Sequence, residues 1–222
     1  MLEVSDVEVF NFEGAIRGMR NPMNSWNRSD SYYGCSGDTC DFCISQEECI
    51  NVYHNYRIGQ NDLQLMRKLY KGGSEHRKYL RQIIISMDIL APLYWWKEFD
   101  TYKVGTLANS CSTMHKIHAK EFTLEDFSHE HLDNGGQDVL YNITHHLNLC
   151  RLKYIETKDK NYWWQMIQLL PSSYNQLRTV TMNYENAVNI INQRSNHKLD
   201  EWHILIKELK KECPYLEAIM SE

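Results

Sequence analysis

The spacing of the cysteines is the first feature of the sequence that could support metal binding. Four of the seven follow the pattern C-x4-C-x2-C-x5-C, as Cys35, Cys40, Cys43 and Cys49. Cys40 and Cys43 have the spacing of half a structural zinc site, and Cys49 with Cys35 or His54 would have to complete it. The other interpretation is a loop-rich insertion over about residues 26–50 whose cysteines are small buried side chains. We predict no metal, because one C-x2-C pair has low specificity.

Other residue types that can carry catalysis form no recognisable set. His145 and His146 are adjacent and cannot face the same way on a helix. Cys111 lies in the sequence NSCS, but no ordered histidine–carboxylate pair that would activate it is identifiable. The glycine-rich patterns of the P-loop and of the dinucleotide-binding turn are also missing from the sequence. A functional site therefore has to be sought in longer patterns.

Composition and charge restrict the possible partners. The 222 residues carry a net charge of -5 with no block of lysine or arginine, which argues against a nucleic-acid partner. The longest apolar runs, such as Ile83–Ile85 followed by Ile89–Leu90, are too short to span a membrane. The first residues, MLEVSDVEVFNFEG, are acidic and lack the apolar core of a signal peptide. We expect a cytoplasmic protein with a single domain over residues 1–222.

The elements that would position a site are mostly helices. Alternation or β-branched runs predict strands over Val4–Phe12 and Gln82–Leu90, both in the first half of the chain. Apolar residues at helical spacing predict helices over Asp62–Tyr70, Tyr94–Phe99, Asp138–Glu156 and Tyr162–Leu169, and a helical hairpin of Thr181–Arg194 with Leu199–Lys211. These elements predict a helix-rich α+β fold.

One long segment resembles a known family. The sequence LPSSYNQLRTVTMNYENAVNIINQR, over Leu170–Arg194, is similar without a gap to flavin-dependent thymidylate synthases. Three further pieces occur in the same order as in that family: AIRGMR at Ala15–Arg20, the segment Gly73–Pro92, and KKECPYLEA at Lys210–Ala218. The resemblance implies a helix-rich α+β domain with a central, mainly antiparallel sheet.

The signature motif of that family is altered in this chain. The family has Arg-His-Arg, seven further residues and a serine, after an aromatic-rich helix. With Phe99 as the anchor, the matching positions are Asp100-Thr101-Tyr102 and Ser110. A shift of one residue gives Thr101-Tyr102-Lys103 and Cys111 instead. The spacing is kept in both registers, and the Arg-His-Arg is absent from both.

The resemblance implies particular flavin contacts. Asn183 and Asn189 match flavin-contacting asparagines of the family, and Gln82 stands where the family has a flavin-contacting histidine. Carboxamides suit such a role because a flavin ring needs directional hydrogen bonds rather than charge. The alternative for the two asparagines is that they are solvated residues of a helix.

The same resemblance implies nucleotide contacts. Arg194 matches the arginine that holds the nucleotide, and Ser110 matches the serine of the signature, which makes both candidates for the catalytic set. The alternatives are an arginine that stabilises a helix C-terminus and an ordinary turn serine. A phosphate-binding arginine of the family falls on Ile167, which carries no charge. Its role would have to pass to another cation, such as Arg178, Lys103 or Lys116.

Two functions follow as hypotheses. The first is a flavin-dependent enzyme that uses FAD for reductive methylation of dUMP or a related pyrimidine nucleotide, with NADPH and methylenetetrahydrofolate as possible co-substrates. The second is a catalytically silent nucleotide-binding or structural homologue that kept the fold. The resemblance also implies a homotetramer, and the 6 tryptophans and 14 tyrosines are more than one subunit of short helices would be expected to bury.

Overall fold

The computed structural model describes residues 2–34 and 55–221. Its helices are α1 Phe12–Arg20, α2 Gln60–Lys71, α3 Leu93–Phe99, α4 Asn134–Thr157, α5 Lys160–Leu169, α6 Tyr184–Arg194, α7 Asp200–Glu212 and α8 Leu216–Met220. Its strands are β1 Glu3–Phe10, β2 Tyr32–Gly34, β3 Asn55–Arg57, β4 Ile84–Pro92, β5 Leu107–Ser110 and β6 Asn175–Asn183. The cysteines of the proposed insertion and His54 lie outside the described residues.

The central sheet has four strands in the order β1-β4-β6-β5, and every neighbouring pair is antiparallel. β4 and β6 pair along their whole length, from Ile84 opposite Asn183 to Pro92 opposite Asn175. β2 and β3 form a separate antiparallel ribbon. The predicted helix-rich α+β class with a mainly antiparallel sheet is confirmed.

The position of β6 corrects the sequence-based assignment. We predicted a helix from Thr181 and strands only in the first half of the chain, but Thr181 belongs to β6 and the helix begins at Tyr184. Along β6, Gln176, Val180 and Met182 are buried and Thr179 is exposed. This alternation suits a strand with one buried face. The long pairing with β4 outweighs the weak helical pattern of these residues.

The core that supports this sheet contains three tryptophans. Trp95, Trp96 and Trp202 are fully buried, and Trp95 lies with its ring 4.9 Å from each of the other two. Leu205 and Leu209 of α7 are buried beside them, as helical spacing predicts. The ring contacts of this cluster fix α3 and α7 next to each other.

A second, smaller core lies between α4 and α5. It contains Leu140, Leu147 and Cys150 from α4 and Met166 from α5. Val139, the first apolar residue of the helical spacing that predicted this helix, is 59% exposed, and Leu140 is buried in its place. No helix among residues 2–34 and 55–221 is long and apolar enough to cross a membrane.

The first part of the predicted insertion is integrated into the fold. Asp62 of α2 is fully buried and accepts hydrogen bonds from the hydroxyls of Ser29 and Ser31, at 2.7 and 2.6 Å. Its other oxygen pairs with the guanidinium of Arg20 at 2.6 Å. Residues 29–31 are therefore tied to α1 and α2.

Candidate functional site

A groove of about 650 Å³ lies between α6 and the loop that follows α3. The loop contributes residues 101–104, and α6 contributes a polar face on which Asn186, Asn189 and Gln193 recur at helical spacing. Asn183 and Arg194 lie at the two ends of that helix, and Arg81 lines the groove from the segment before β4. The groove therefore brings together Asn183, Asn189 and Arg194.

Asn183 begins α6 by capping it. Its side-chain oxygen accepts from the backbone N–H of Asn186 at 3.0 Å, and the Asn186 side chain interacts in return with the backbone N–H of Asn183. This reciprocal arrangement satisfies amide groups that the helix itself leaves unpaired. Asn186 also donates to the carbonyl of Val104 at 2.8 Å. Asn186 thus connects the start of α6 to the loop that forms the opposite wall of the groove.

Gly105 allows this close approach. Its φ of +77° favours glycine, and a Cβ there would lie 2.7 Å from the side-chain nitrogen of Asn183. A larger residue at this position would separate the loop from the start of α6.

Arg194 is held by several partners. One of its terminal nitrogens lies 3.4 Å from a carboxylate oxygen of Glu98, and its Nε donates to the hydroxyl of Tyr102 at 3.1 Å. The guanidinium lies over the ring of Trp202, 4.9 Å from its centroid. Glu98 also lies 3.1 Å from Nε2 of His197. The positive charge of Arg194 is therefore already paired with a carboxylate of the same chain.

Arg81 is paired in a similar way. It donates to both carboxylate oxygens of Glu185, which also pairs with Arg77 at 3.2 Å. Burial would raise the pKa of Glu185, but the hydrogen bonds and charges of Arg81 and Arg77 outweigh it and hold that pKa below its usual value. Glu185 is therefore ionised at neutral pH and neutralises much of the charge of Arg81.

Lys103 differs from the two groove arginines. Its side chain is exposed, and within the described part of the chain no carboxylate lies at ion-pair distance from its ammonium group. Asn189 likewise has no side-chain hydrogen-bond partner among the described residues, and it is half-buried in the groove. These two side chains have the free hydrogen-bonding capacity that a ligand requires.

The other predicted site residues lie elsewhere. Ser110 is the last residue of β5, exposed, and opposite Arg178 in the sheet. Arg178 pairs with Asp100 at 2.8 Å and stacks on Trp96, 4.2 Å from the ring centroid. Gln82 lines a different cavity, beside Gly18. None of these three is among the residues that line the groove of α6.

Three residues that shape the groove had no predicted role in it: Glu98, Tyr102 as a partner of Arg194, and Glu185. Glu98 and Tyr102 contact Arg194 of α6, and Glu185 of α6 pairs with Arg77 and Arg81. Each of these contacts joins residues that are more than ninety positions apart in the chain. No local spacing in the sequence carries such information. The nearest residue with a predicted role was Gln82, which is adjacent in the chain to Arg81, a residue that does line the groove.

The described residues form no cluster of potential metal ligands. Within residues 2–34 and 55–221, no three histidine, cysteine, aspartate or glutamate side chains are arranged to hold an ion. The zinc alternative concerns cysteines outside those residues, so it stays untested.

Comparison with solved structures identifies the class of fold. The chain has the fold of the flavin-dependent thymidylate synthases. One similar structure is thymidylate synthase X (ThyX) from Helicobacter pylori with FAD and dUMP, at 16% sequence identity and a TM-score of 0.64, covering 100% of this chain and 98% of that one. A second structure of the H. pylori enzyme, complexed with the same two compounds, has the same identity and TM-score over 97% of this chain and 98% of that one. No model of a known protein family matches the sequence, and no curated protein does.

Proposed function

We propose that the groove of α6 binds a flavin and an anionic pyrimidine nucleotide, and that the protein is a thymidylate synthase-like enzyme that uses FAD to methylate dUMP or a related nucleotide. The observation that carries this proposal is the convergence of Asn183, Asn189 and Arg194 on one groove. The sequence resemblance assigned these residues to flavin and nucleotide independently of any structure. The H. pylori proteins of the same fold were solved with FAD and dUMP, which supports the same pair of ligands.

The flavin contacts would come from carboxamides. Asn189 offers an amide that has no partner among residues 2–34 and 55–221, and the side-chain nitrogen of Asn183 points toward Gly105 while its oxygen caps α6. Both groups suit the donors and acceptors of a flavin ring edge, so the residues present fit the cofactor. When bound, FAD would supply the hydride of the reduction. The role of these residues would be to orient the ring.

The nucleotide phosphate would be held by Lys103 and Arg194. Thr101, Tyr102 and Lys103 all line the groove, whereas Asp100 pairs with Arg178 outside it. This supports the shifted register of the signature, in which Lys103 replaces the second arginine. Ile167 packs against the core of α4 and α5, and so adds no charge to the groove. Lys103 is thus the cation best able to compensate for the absent arginines.

The alternative of a silent homologue is favoured by one observation. Both groove arginines are paired with carboxylates of this chain, Arg194 with Glu98 and Arg81 with Glu185. An anion that enters the groove must compete with these carboxylates. A groove that has lost its catalytic function would tolerate such pairing without penalty.

The proposed function also includes the assembly of several copies of this chain. The solvent face of α4 carries an apolar stripe at helical spacing, formed by Tyr141, Leu149, Leu152 and Ile155, each at least 40% exposed. A long helix with apolar residues on both faces is typical of one that packs against another chain. We propose a homotetramer in which this stripe is covered.

The test compares ligand binding by two variants. Asn189→Ala should weaken FAD binding roughly fivefold, about 1 kcal/mol, and leave dUMP binding nearly unchanged. Lys103→Gln should weaken dUMP binding by a similar factor and leave FAD binding nearly unchanged. Lys207→Gln, which changes an exposed lysine that does not line the groove, is the matched control. Equal affinities in all four proteins would contradict the assignment of the groove.

A further inference from the structure

A second groove, of about 730 Å³, lies between α2 and the two turns of 3-10 helix that follow α1, Asn21–Met23 and Trp26–Arg28. One wall is a single face of α2, because residues 61, 64 and 68 recur at helical spacing. Besides Arg20 and Ser25, the polar side chains that line it are carboxamides or cations, namely Asn24, Asn27, Asn61, Gln64, Arg28 and Lys68.

The described side chains that line this groove carry a net positive charge. Arg28 and Lys68 form no ion pair with any described residue, and no carboxylate is among the described residues that line the groove. The whole chain has a net charge of -5, so an uncompensated pair of cations on one groove is not a consequence of overall composition.

The nearby carboxylates are engaged elsewhere. Asp30 accepts from the backbone N–H groups of Asn61 and Asp62, at 2.9 and 3.1 Å, and so caps α2. Asp62 is buried and pairs with Arg20, which is 3% exposed and also donates to the carbonyl of Ser25 at 3.1 Å. These contacts hold the turns against α2, and among the described residues they leave no carboxylate paired with Arg28 or Lys68.

We propose that this groove binds a small phosphorylated molecule. Arg28 and Lys68 would pair with phosphate oxygens, since guanidinium and ammonium groups form charge-assisted hydrogen bonds with them. The four carboxamides would hydrogen-bond the polar remainder of the ligand, and Met23 with Leu65 would contact an apolar part. The described residues that line this groove include none of those that line the groove of α6, so the site is distinct from the proposed flavin and nucleotide site.

The test is calorimetric titration of the full chain with two probes, inorganic pyrophosphate and ADP. Saturable binding of either is expected, and Arg28→Gln/Lys68→Gln should weaken it at least tenfold, because both charge-assisted contacts are lost. Lys71→Gln/Lys207→Gln, with two exposed lysines outside the groove, is the charge-matched control and should bind within twofold of wild type. Tighter binding of ADP would indicate an organic phosphate ester, and equal or tighter binding of pyrophosphate an inorganic or terminal diphosphate group.

The variant Lys103→Gln separates this proposal from the proposed function. It should bind both probes as wild type does, even if dUMP and FAD are not ligands of the other groove. Loss of probe binding in Lys103→Gln, unchanged binding in Arg28→Gln/Lys68→Gln, or no saturable binding by wild type would each overturn the proposal.

Discussion

The carboxylate of Glu98 lies 3.4 Å from the guanidinium of Arg194 and 3.1 Å from the imidazole of His197. Arg194 is one of the residues by which the chain resembles flavin-dependent thymidylate synthases, and Glu98 lies on α3 at the edge of the core tryptophans. The pair therefore connects the buried packing of α3 and α7 to the proposed nucleotide site. It also means that a nucleotide phosphate has to compete with an internal carboxylate.

Replacement of Glu98 by Gln should strengthen nucleotide binding. The variant keeps the shape of the side chain but removes the charge that competes for Arg194. Because the pair is partly exposed, we expect a gain of only about threefold to tenfold in dUMP affinity. Titration of dUMP into wild type, Glu98→Gln and the exposed control Glu121→Gln measures it. Weaker binding in Glu98→Gln alone would indicate that Glu98 positions Arg194 rather than competing for it.

Asn183 should have separable structural and binding roles. Asn183→Ala removes the cap of α6 and should lower the free energy of unfolding by about 1 kcal/mol, or roughly 2–4 °C in Tm. Asn183→Asp keeps an oxygen that can cap the helix and should retain most of that stability. Aspartate has no side-chain N–H to donate, so flavin binding should fall in both variants. Thermal unfolding and FAD titration of the two proteins measure this difference, and intact FAD binding in Asn183→Asp would exclude a donor role.

The buried pair of Asp62 and Arg20 should give a defined dependence of stability on pH. Burial would raise the pKa of Asp62, but hydrogen bonds from Ser31, Ser29 and Arg20 outweigh it, so the pKa lies below its usual value. The stability that this group contributes is complete above its unfolded pKa of about 3.9, and it is lost as pH falls through the lower folded pKa.

Asp62→Asn should lower the free energy of unfolding at pH 7 by about 3 kcal/mol, because it leaves the buried charge of Arg20 uncompensated. Its stability should also fall less steeply than that of wild type below pH 4. Urea unfolding at several pH values measures both effects. Parallel curves for the two proteins below pH 4 would show that Asp62 does not carry this dependence.

The apolar stripe of α4 should be necessary for assembly. Leu149→Glu/Leu152→Glu places two charges in the proposed interface and should reduce a tetramer to smaller species in light scattering at micromolar concentration. Leu132→Glu changes a comparably exposed leucine outside the stripe and should leave the mass unchanged. A monomeric wild-type protein would refute the tetramer.

The sequence predicted those parts of the fold that local patterns determine. Trp202, Leu205 and Leu209 recur at helical spacing and are buried in α7 as expected. Thr181 was wrongly placed in a helix because its environment is set by β4, nearly a hundred residues earlier. Local propensity cannot report a pairing partner that is so distant.

For the candidate site, the sequence indicated which residues belong together but not their charge partners. Asn183, Asn189 and Arg194 lie within twelve residues, so one helix was enough to bring them to one groove. The pairing of Arg194 with Glu98 depends on how α3 packs against α6 and α7, and this is a tertiary contact. The sequence therefore predicted a nucleotide-binding arginine without its competitor.

Titration of the purified protein with FAD and then with dUMP, followed by visible absorbance and calorimetry, tests whether it is a flavin-dependent enzyme that acts on a nucleotide. We expect saturable FAD binding, with a change in the flavin absorbance bands when the flavin enters the groove, and saturable binding of dUMP that is weakened in Lys103→Gln. Binding of FAD without dUMP would leave the flavin site intact and show that the nucleotide is a different one. Failure of wild-type protein to bind either compound at millimolar concentration would contradict the enzyme proposal and leave the silent homologue.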